Sequence, residues 1–406
     1  METDRQNGAV LMIAYTYYEC DPRVMREAEA ALEAGFEVDF LALRRESQPK
    51  IEELAGVRVI RMEQSRYRGS NLLRYMASYC EFFLRCFFRT SLLWMKRRYH
   101  VIHVNNMPDF LVFSAVIPRL LGAKIILDIH DPMPNTFASK FKHAENGFFY
   151  RLLLWQERLS VAFCHRVVTV NHPVRDAVLE KHGLHSEPIE VVENFADGQL
   201  FQLRSTFHVG ENLRLAFHGT ILERSGLKIL IEALSMTQHK DRIRVKIIGE
   251  GDFAEPMRSL IRLKGLDEMV QFDNYSYPAR QIPELLSDCN VGLVPLVVSS
   301  MANYALPLKL IEYISMGLPV ITVRSAAICY YFREEDCLFY DWNAPKTLAR
   351  LIDKLALEPE LLLHFRQRAL EIRDRFSWST GKAKYGDLLR NLSGTAQPEI
   401  LEMKKA

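Results

Sequence analysis

Residues 213–252 read LRLAFHGTILERSGLKILIEALSMTQHKDRIRVKIIGEGD, and this stretch decides the fold. An apolar strand, Leu213–Phe217, runs into a glycine turn at Gly219. A helix follows over Gly226–Leu234, and then a second strand, Arg244–Gly249, closes on the turn Gly249-Glu250-Gly251. Strand, helix and strand in that order is the pattern of a parallel sheet covered by helices on both faces.

The same pattern extends in both directions. Downstream, helices at Pro256–Lys264 and Ile282–Ser287 flank a strand at Val270–Phe272. Val291–Pro295, a helix around Leu308–Met316, the strand Val320–Val323, and helical stretches at 345–357, 359–374 and 380–392 complete the second half. Upstream, Val10–Ala14 is a strand, and Asp21–Ala34 a helix stopped by Gly35. Glu37–Leu43, Val57–Met62, a long helical region, Val101–Val104, Leu111–Leu121, Lys124–Asp128, Val167–Val170 and Ile189–Val192 continue the alternation. Two sheets in succession predict two Rossmann-like α/β domains, at 1–200 and 210–375. Ligands of such sheets sit at the carboxyl ends of the strands, so the expected site is a central cleft that both sheets face.

The chain is long enough for two cores, at 406 residues and 49% hydrophobic. Its 52 basic and 50 acidic residues leave a formal charge of only +2, which argues against a dedicated nucleic-acid binder. Seven cysteines without CxxC spacing fit a reducing compartment. The polar start METDRQNG has no signal-peptide pattern, and no stretch reaches 18 uncharged apolar residues, so the expected location is cytoplasmic. Residues 71–99, NLLRYMASYCEFFLRCFFRTSLLWMKRRY, mix Phe82, Phe83, Phe87, Phe88 and Trp94 with Arg85, Arg89, Lys96, Arg97 and Arg98. That mixture suits either a core helix or a helix resting on the inner face of an anionic membrane.

Several groups carry candidate chemistry. In LPLKLIEYISMGLPV, Lys309 lies near a helix start and Glu312 one turn further on the same face. A cation beside free amides suits a diphosphate, and a carboxylate there can accept both hydroxyls of a ribose. The bland alternative is a surface Lys–Glu pair. His130, in LDIHD, ends a strand where its imidazole can meet a sugar hydroxyl or a departing phosphate oxygen, with the neighbouring acids holding its tautomer. Otherwise it only fixes the loop. Gly219 permits close approach of an anion, and Arg224 offers a fork for two phosphate oxygens, or caps a turn. Gly249, Tyr275 and Tyr277 are weaker candidates for nucleotide contact. Asp21 suits a cap on the helix it starts, and it and the pair Asn105-Asn106 suit acceptor hydroxyls or loop hydrogen bonds. No cluster has metal-ligand spacing, so no metal is assigned.

In order and spacing, these segments resemble glycosyltransferase family 4, the retaining group with the two-domain GT-B fold. The similarity runs through DPRVMREAEAALEAGFEVDFLAL, LDIHD, VVTVNHPV, EVVENFAD, FHGTILERSGLKILIEAL, VKIIGEGD, LPLKLIEYISMGLPVITV and FSWSTGKAKYGDLL. It implies a nucleotide-diphosphate sugar on the second domain, an acceptor, saccharide or lipid-linked, on the first, and a return of helix 380–392 to the first domain. It implies no tightly bound cofactor and no metal-dependent chemistry. Glu312 matches the second of the family's paired glutamates. Tyr304 stands where the first would be, in a branch with a Pro-x-Lys-x-x-Glu-Tyr pattern. Thr220 and Ser225 replace the usual phosphate residues, leaving that role to Arg224 and Lys309. The resemblance implies sugar transfer in polysaccharide biosynthesis with retained anomeric configuration. The competing expectations are a nucleotide-sugar epimerase or hydrolase, and a binding scaffold that has lost catalysis.

Overall fold

The computed structural model describes residues 8–67, 71–141, 147–180, 182–184, 189–203, 207, 209–299 and 302–394. The first seven residues and most of the polar tail after Leu392 therefore lie outside the described residues. The chain forms two units, Met1–Glu193 with Ser379–Ala406, and Asn194–Trp378.

The N-terminal unit holds an eight-stranded sheet. Its strands are β1 (Ala9–Ile13), β2 (Glu37–Leu43), β3 (Ile51–Leu54), β4 (Val57–Met62), β5 (Val101–Asn105), β6 (Lys124–Ile129), β7 (Arg166–Thr169) and β8 (Ile189–Val191), in the order β3-β4-β2-β1-β5-β6-β7-β8. Among the described residues only the β3–β4 pair is antiparallel. The sequence pattern did not reveal β3, because Ile51-Glu-Glu-Leu54 is an edge with no apolar run. Its hairpin turns on Ala55 and Gly56, both at positive φ, as a two-residue loop requires.

Helices α1 (Pro22–Glu33), α2 (Leu72–Lys96), α3 (Val116–Leu120), α4 (Met133–Phe141) and α5 (Phe148–Phe163) cover this sheet. Helices α4 and α5 have no counterpart among the expected elements. Within α2, Phe82 and Trp94 are buried, Phe83 and Phe87 half-buried, and only Phe88 is exposed. The helix Trp378–Ser393 joins the same unit: the Tyr385 hydroxyl bonds to His103 Nδ1, and Lys382 reaches Glu33 at 2.6 Å.

The C-terminal unit has six parallel strands: β9 (Leu213–His218), β10 (Ile243–Ile248), β11 (Val270–Asp273), β12 (Val291–Val294), β13 (Val320–Val323) and β14 (Leu338–Tyr340), in the order β11-β10-β9-β12-β13-β14. Alternate residues feed opposite faces, as strand geometry demands. Leu215, Phe217 and Ile247 pack with Leu230 and Ile352, while Ala216 and Ile248 pack with Ile311 and Ile314. Strand order reverses direction at β9, between β10 and β12. That reversal is the switch point where such sheets open a crevice for ligands.

Candidate functional site

At the switch point of the C-terminal unit, β9 ends in His218 and the chain turns at Gly219, φ 115°. The Gly219 N–H is already spent on the Ile248 carbonyl at 2.9 Å, so the residue does not offer that amide to an anion. Its contribution is the missing side chain. A Cβ there would come within 3.2 Å of Lys309 Nζ. Gly249 has a related task, since a Cβ on it would fall 1.9 Å from the Gly219 carbonyl oxygen. It lets the loops after β9 and β10 lie backbone to backbone, tied by Ile221 N–H to Glu250 O at 2.9 Å.

The helix Leu308–Ser315 starts after Pro307, which serves as its N-cap. Lys309 sits in its first turn with Nζ 3.8 Å from the Phe217 ring centroid, a cation–π placement. Burial lowers the Lys309 amine to about 8, opposed by the Glu312 carboxylate. Such an amine is charged at neutral pH and easily satisfied by an anion. Glu312 is buried, its Oε2 3.2 Å from His218 Nε2. Burial and the nearby Lys309 lower His218 to about 3, so its ring is neutral. Tyr313 fixes the base of the site, accepting from the His218 N–H at 3.2 Å and donating to Ala216 O at 3.0 Å.

The structure thus brings together Gly219, Lys309 and Glu312, and adds His218, which the sequence reading passed over inside FHGT. A histidine on an apolar strand gives little signal until Glu312 is seen beside it. Arg224 lies exposed in a short turn (Glu223–Ser225), with its carbonyl accepting from Val297 N–H at 3.0 Å. Its guanidinium is thus presented to solvent. Tyr275 is exposed and Tyr277 half-buried after β11, with rings 4.7 Å apart edge to face. The Tyr277 hydroxyl donates to Asp273 at 2.6 Å, and that bond raises its pKa.

In the N-terminal unit, His130 follows β6. Its Nε2 lies 2.9 Å from Asp128 Oδ2 and 3.1 Å from Asn105 Oδ1. Both are acceptors, so this nitrogen carries the proton and Nδ1 is left for a ligand. The His130 N–H donates to Asn106 Oδ1 at 2.9 Å, and Asn106 Nδ2 donates to Asp109 Oδ1 at 2.9 Å. A pocket in this unit is lined by Thr16, Asp21, Arg66, Asn105, Asn106 and His130, among others. Asp21 makes no side-chain cap on α1, contrary to the capping role considered for it.

Beneath His130 lies a buried charge network that the sequence pattern did not announce. Arg23 donates to Asp128 through Nε at 2.9 Å with its Nη2 in ion-pair contact at 2.7 Å, contacts Glu27 Oε1 at 3.1 Å, and donates through Nη1 to Val192 O at 2.9 Å. Burial works against the Asp128 carboxylate, but Arg23 and then His130 hold it well below the usual range. Burial and the Asp128 charge push Glu27 well above its usual range, so the pair keeps one proton. Burial lowers His103 to about 3. Glu27, His103 and Asp128 have donor atoms close enough to hold a cation. The cation among them is the Arg23 guanidinium.

Two Rossmann-ordered sheets, with Lys309 and Glu312 at the switch point of the second, define a two-unit α/β protein. Comparison with known proteins narrows the class. Residues 23–199 match the family described as Glycosyltransferase Family 4, and residues 201–371 match Glycosyl transferases group 1. The chain belongs to the family-4 glycosyltransferases, with the GT-B type of fold. It is similar, at 25% identity over 186 residues, to the putative colanic acid biosynthesis glycosyltransferase WcaL of Escherichia coli (strain K12), covering 45% of each chain. A chitobiosyldiphosphodolichol beta-mannosyltransferase of Kluyveromyces lactis is 23% identical over 266 residues, 58% of each. The chain thus spans about half the length of the curated relatives it matches. Among solved structures, a sucrose-phosphate synthase from Thermosynechococcus elongatus aligns with TM-score 0.75 and 17% identity, over 96% of this chain and 100% of the other. Anabaena HepE in complex with UDP and glucose gives 0.67 and 13%, over 95% and 100%. At these identities the structural likeness shows the fold.

Proposed function

We propose that the protein transfers a sugar from a nucleotide-diphosphate sugar to a hydroxyl of a saccharide or lipid-linked acceptor, with retained anomeric configuration. The observation that carries this reading is Lys309, held on Phe217 beside a side-chain-free Gly219, with Glu312 one helical turn further on. Lys309 meets the diphosphate at a helix start, where charge and backbone dipoles act on the same anion. Glu312 accepts from the ribose hydroxyls, with the neutral His218 ring beside its carboxylate. Arg224 closes on the phosphates from solvent, and Tyr275 and Tyr277 lie against the base. As the bond to the sugar breaks, charge grows on the leaving phosphate, and a well-placed cation lowers that barrier by about 3 kcal/mol. The acceptor attacks from the same face, and the departing phosphate takes its proton. His130 orients the transferred sugar through Nδ1, its other nitrogen being held by Asp128. The donor is a substrate, and no further cofactor or metal enters this scheme.

The relatives named for colanic acid biosynthesis and for mannosyl transfer to a dolichol-linked saccharide point to polysaccharide assembly on a carrier. No described helix is long and apolar enough to cross a membrane. Access to a lipid-linked acceptor is assigned to peripheral contact of residues 71–99 with the inner membrane face, on the ground of exposed Phe88 beside exposed Arg85, Lys96 and Arg98. The test is incubation of pure protein with a panel of nucleotide sugars and free or lipid-linked saccharides, with mass analysis of products. A mass increment on an acceptor is the expected result. Free sugar alone, or an isomerised donor, would replace transfer by hydrolysis or epimerisation.

A further inference from the structure

Helix α5 is apolar on the side that faces solvent. Phe148, Leu152, Trp155 and Leu159 recur at helical spacing and are exposed by 76%, 46%, 59% and 41%. Its inward face is made of Leu153, Glu157, Ser160 and Val161. Helix α2 repeats the arrangement: Phe82, Cys86, Thr90 and Leu93 face inward, while Leu84, Phe88, Leu92 and Met95 form an outward stripe. A surface helix ordinarily turns polar residues outward, so an apolar outer stripe marks a surface that something covers. The segment Asp109–Leu120, which ends in α3, lies between them. Phe83 of α2 packs on Phe110, and Phe163 of α5 packs on Phe113. Leu120 and Leu121 at its end are exposed as well.

The charges bordering these stripes are almost all of one sign. Arg85, Lys96 and Arg98 on and after α2, and Arg151 and Arg158 on α5, are exposed. Of the acids in 81–98, 109–124 and 148–163, Asp109 and Glu157 are buried, and only Glu81 is exposed, paired with Arg85. A second protein surface would need its own acidic rim around an apolar centre. An anionic bilayer supplies both features without any specific fit.

We infer that α5, together with α2 and the end of α3, forms one docking face for an anionic membrane. This rests on the membrane contact proposed for residues 71–99 and extends it to a second helix. The inserting groups are also reassigned. Phe88, Leu92 and Met95 enter from α2, and Leu152, Trp155 and Leu159 from α5, whereas Phe82 and Trp94 belong to the core.

The experiment is co-sedimentation of the full chain with vesicles of phosphatidylcholine alone or mixed with phosphatidylglycerol, at low and moderate salt. Three proteins are compared: wild type, an α5 variant (L152S, W155S, L159S) and an α2 variant (F88S, L92S, M95S). All changes are at exposed positions, and circular dichroism and sedimentation velocity check fold and oligomeric state. Wild type is expected to sediment with the anionic vesicles only, more at low salt. Each variant should lose at least about tenfold in partitioning, since each removes three inserted side chains. If the α5 variant binds like wild type while the α2 variant fails, this inference is overturned and the contact through 71–99 stands. If wild type does not bind anionic vesicles, both fall. Self-association of wild type that the α5 variant abolishes, without vesicle binding, would make the face a protein interface and overturn the proposal.

Discussion

Raising the pH from 7 to 9 tests the phosphate grip without changing an atom. Lys309 carries an amine that burial lowers to about 8, while neutral His218, at about 3, does not titrate in this window. The charged fraction of such an amine is about nine-tenths at pH 7 and about one-tenth at pH 9. Binding that needs the ammonium therefore weakens roughly tenfold, about 1.4 kcal/mol, across those two units. The sign follows from linkage: a bound diphosphate raises the lysine pKa, so the complex takes up a proton on forming and loses affinity as pH rises. The terminal phosphate ionises near about 6 and contributes little above pH 7. Calorimetric titration with UDP, GDP and ADP, and with the bare nucleosides as controls, reads the effect. Lys309→Arg keeps its charge throughout and should flatten the profile. Lys309→Met should weaken diphosphate binding by about 1.5–3 kcal/mol at pH 7 and leave little pH dependence. A wild-type affinity that stays level from pH 7 to 9, or an equal fall in Lys309→Arg, would refute the reasoning.

Three further outcomes are expected. Glu312→Ala should cost about 1–3 kcal/mol of ribonucleoside-diphosphate binding; equal loss with the 2′-deoxy ligand would remove Glu312 from the ribose. Arg23→Leu leaves Asp128 buried without its cation and should destabilise the protein by about 3–5 kcal/mol at pH 7. In that variant burial lifts the Asp128 pKa above its unfolded value, so denaturant melts should show a smaller deficit near pH 4 than at pH 7; a deficit independent of pH would exclude the charge as its cause. Gly226, φ 74°, has the Pro295 carbonyl oxygen 1.3 Å from where a Cβ would stand, so Gly226→Ala should lower the melting temperature sharply or prevent folding. An unchanged melt would mean that the loop after β12 has room to retreat.

The order of strands and helices was legible because parallel strands covered on both faces are mostly apolar runs, and Leu213–Phe217 and Val320–Val323, bounded by turn residues, read as such strands. Strand β3 escaped because an edge strand needs no apolar run. Helix α5 escaped because Phe148, Leu152, Trp155 and Leu159 blur the amphipathic contrast that marks a helix. Lys309, Glu312 and His130 were legible as residue types at element ends, where strand termini and first helical turns converge.

Only tertiary structure decided what each of those ends does. Sequence spacing placed Lys309 and Glu312 one turn apart, but the crossing of their helix over β9 set Nζ on Phe217 and Glu312 against His218. Gly219 reads from sequence as an anion contact, yet register with β10 spends its amide on Ile248 and leaves only its missing side chain to matter. Arg23 and Asp128 are 105 residues apart, and no local pattern announces that they share one buried site. The sequence alone determined the two-sheet architecture, since period and polarity are properties of neighbouring residues. Partners, protonation and exposed faces depend on residues distant in the chain, and folding alone brings those together.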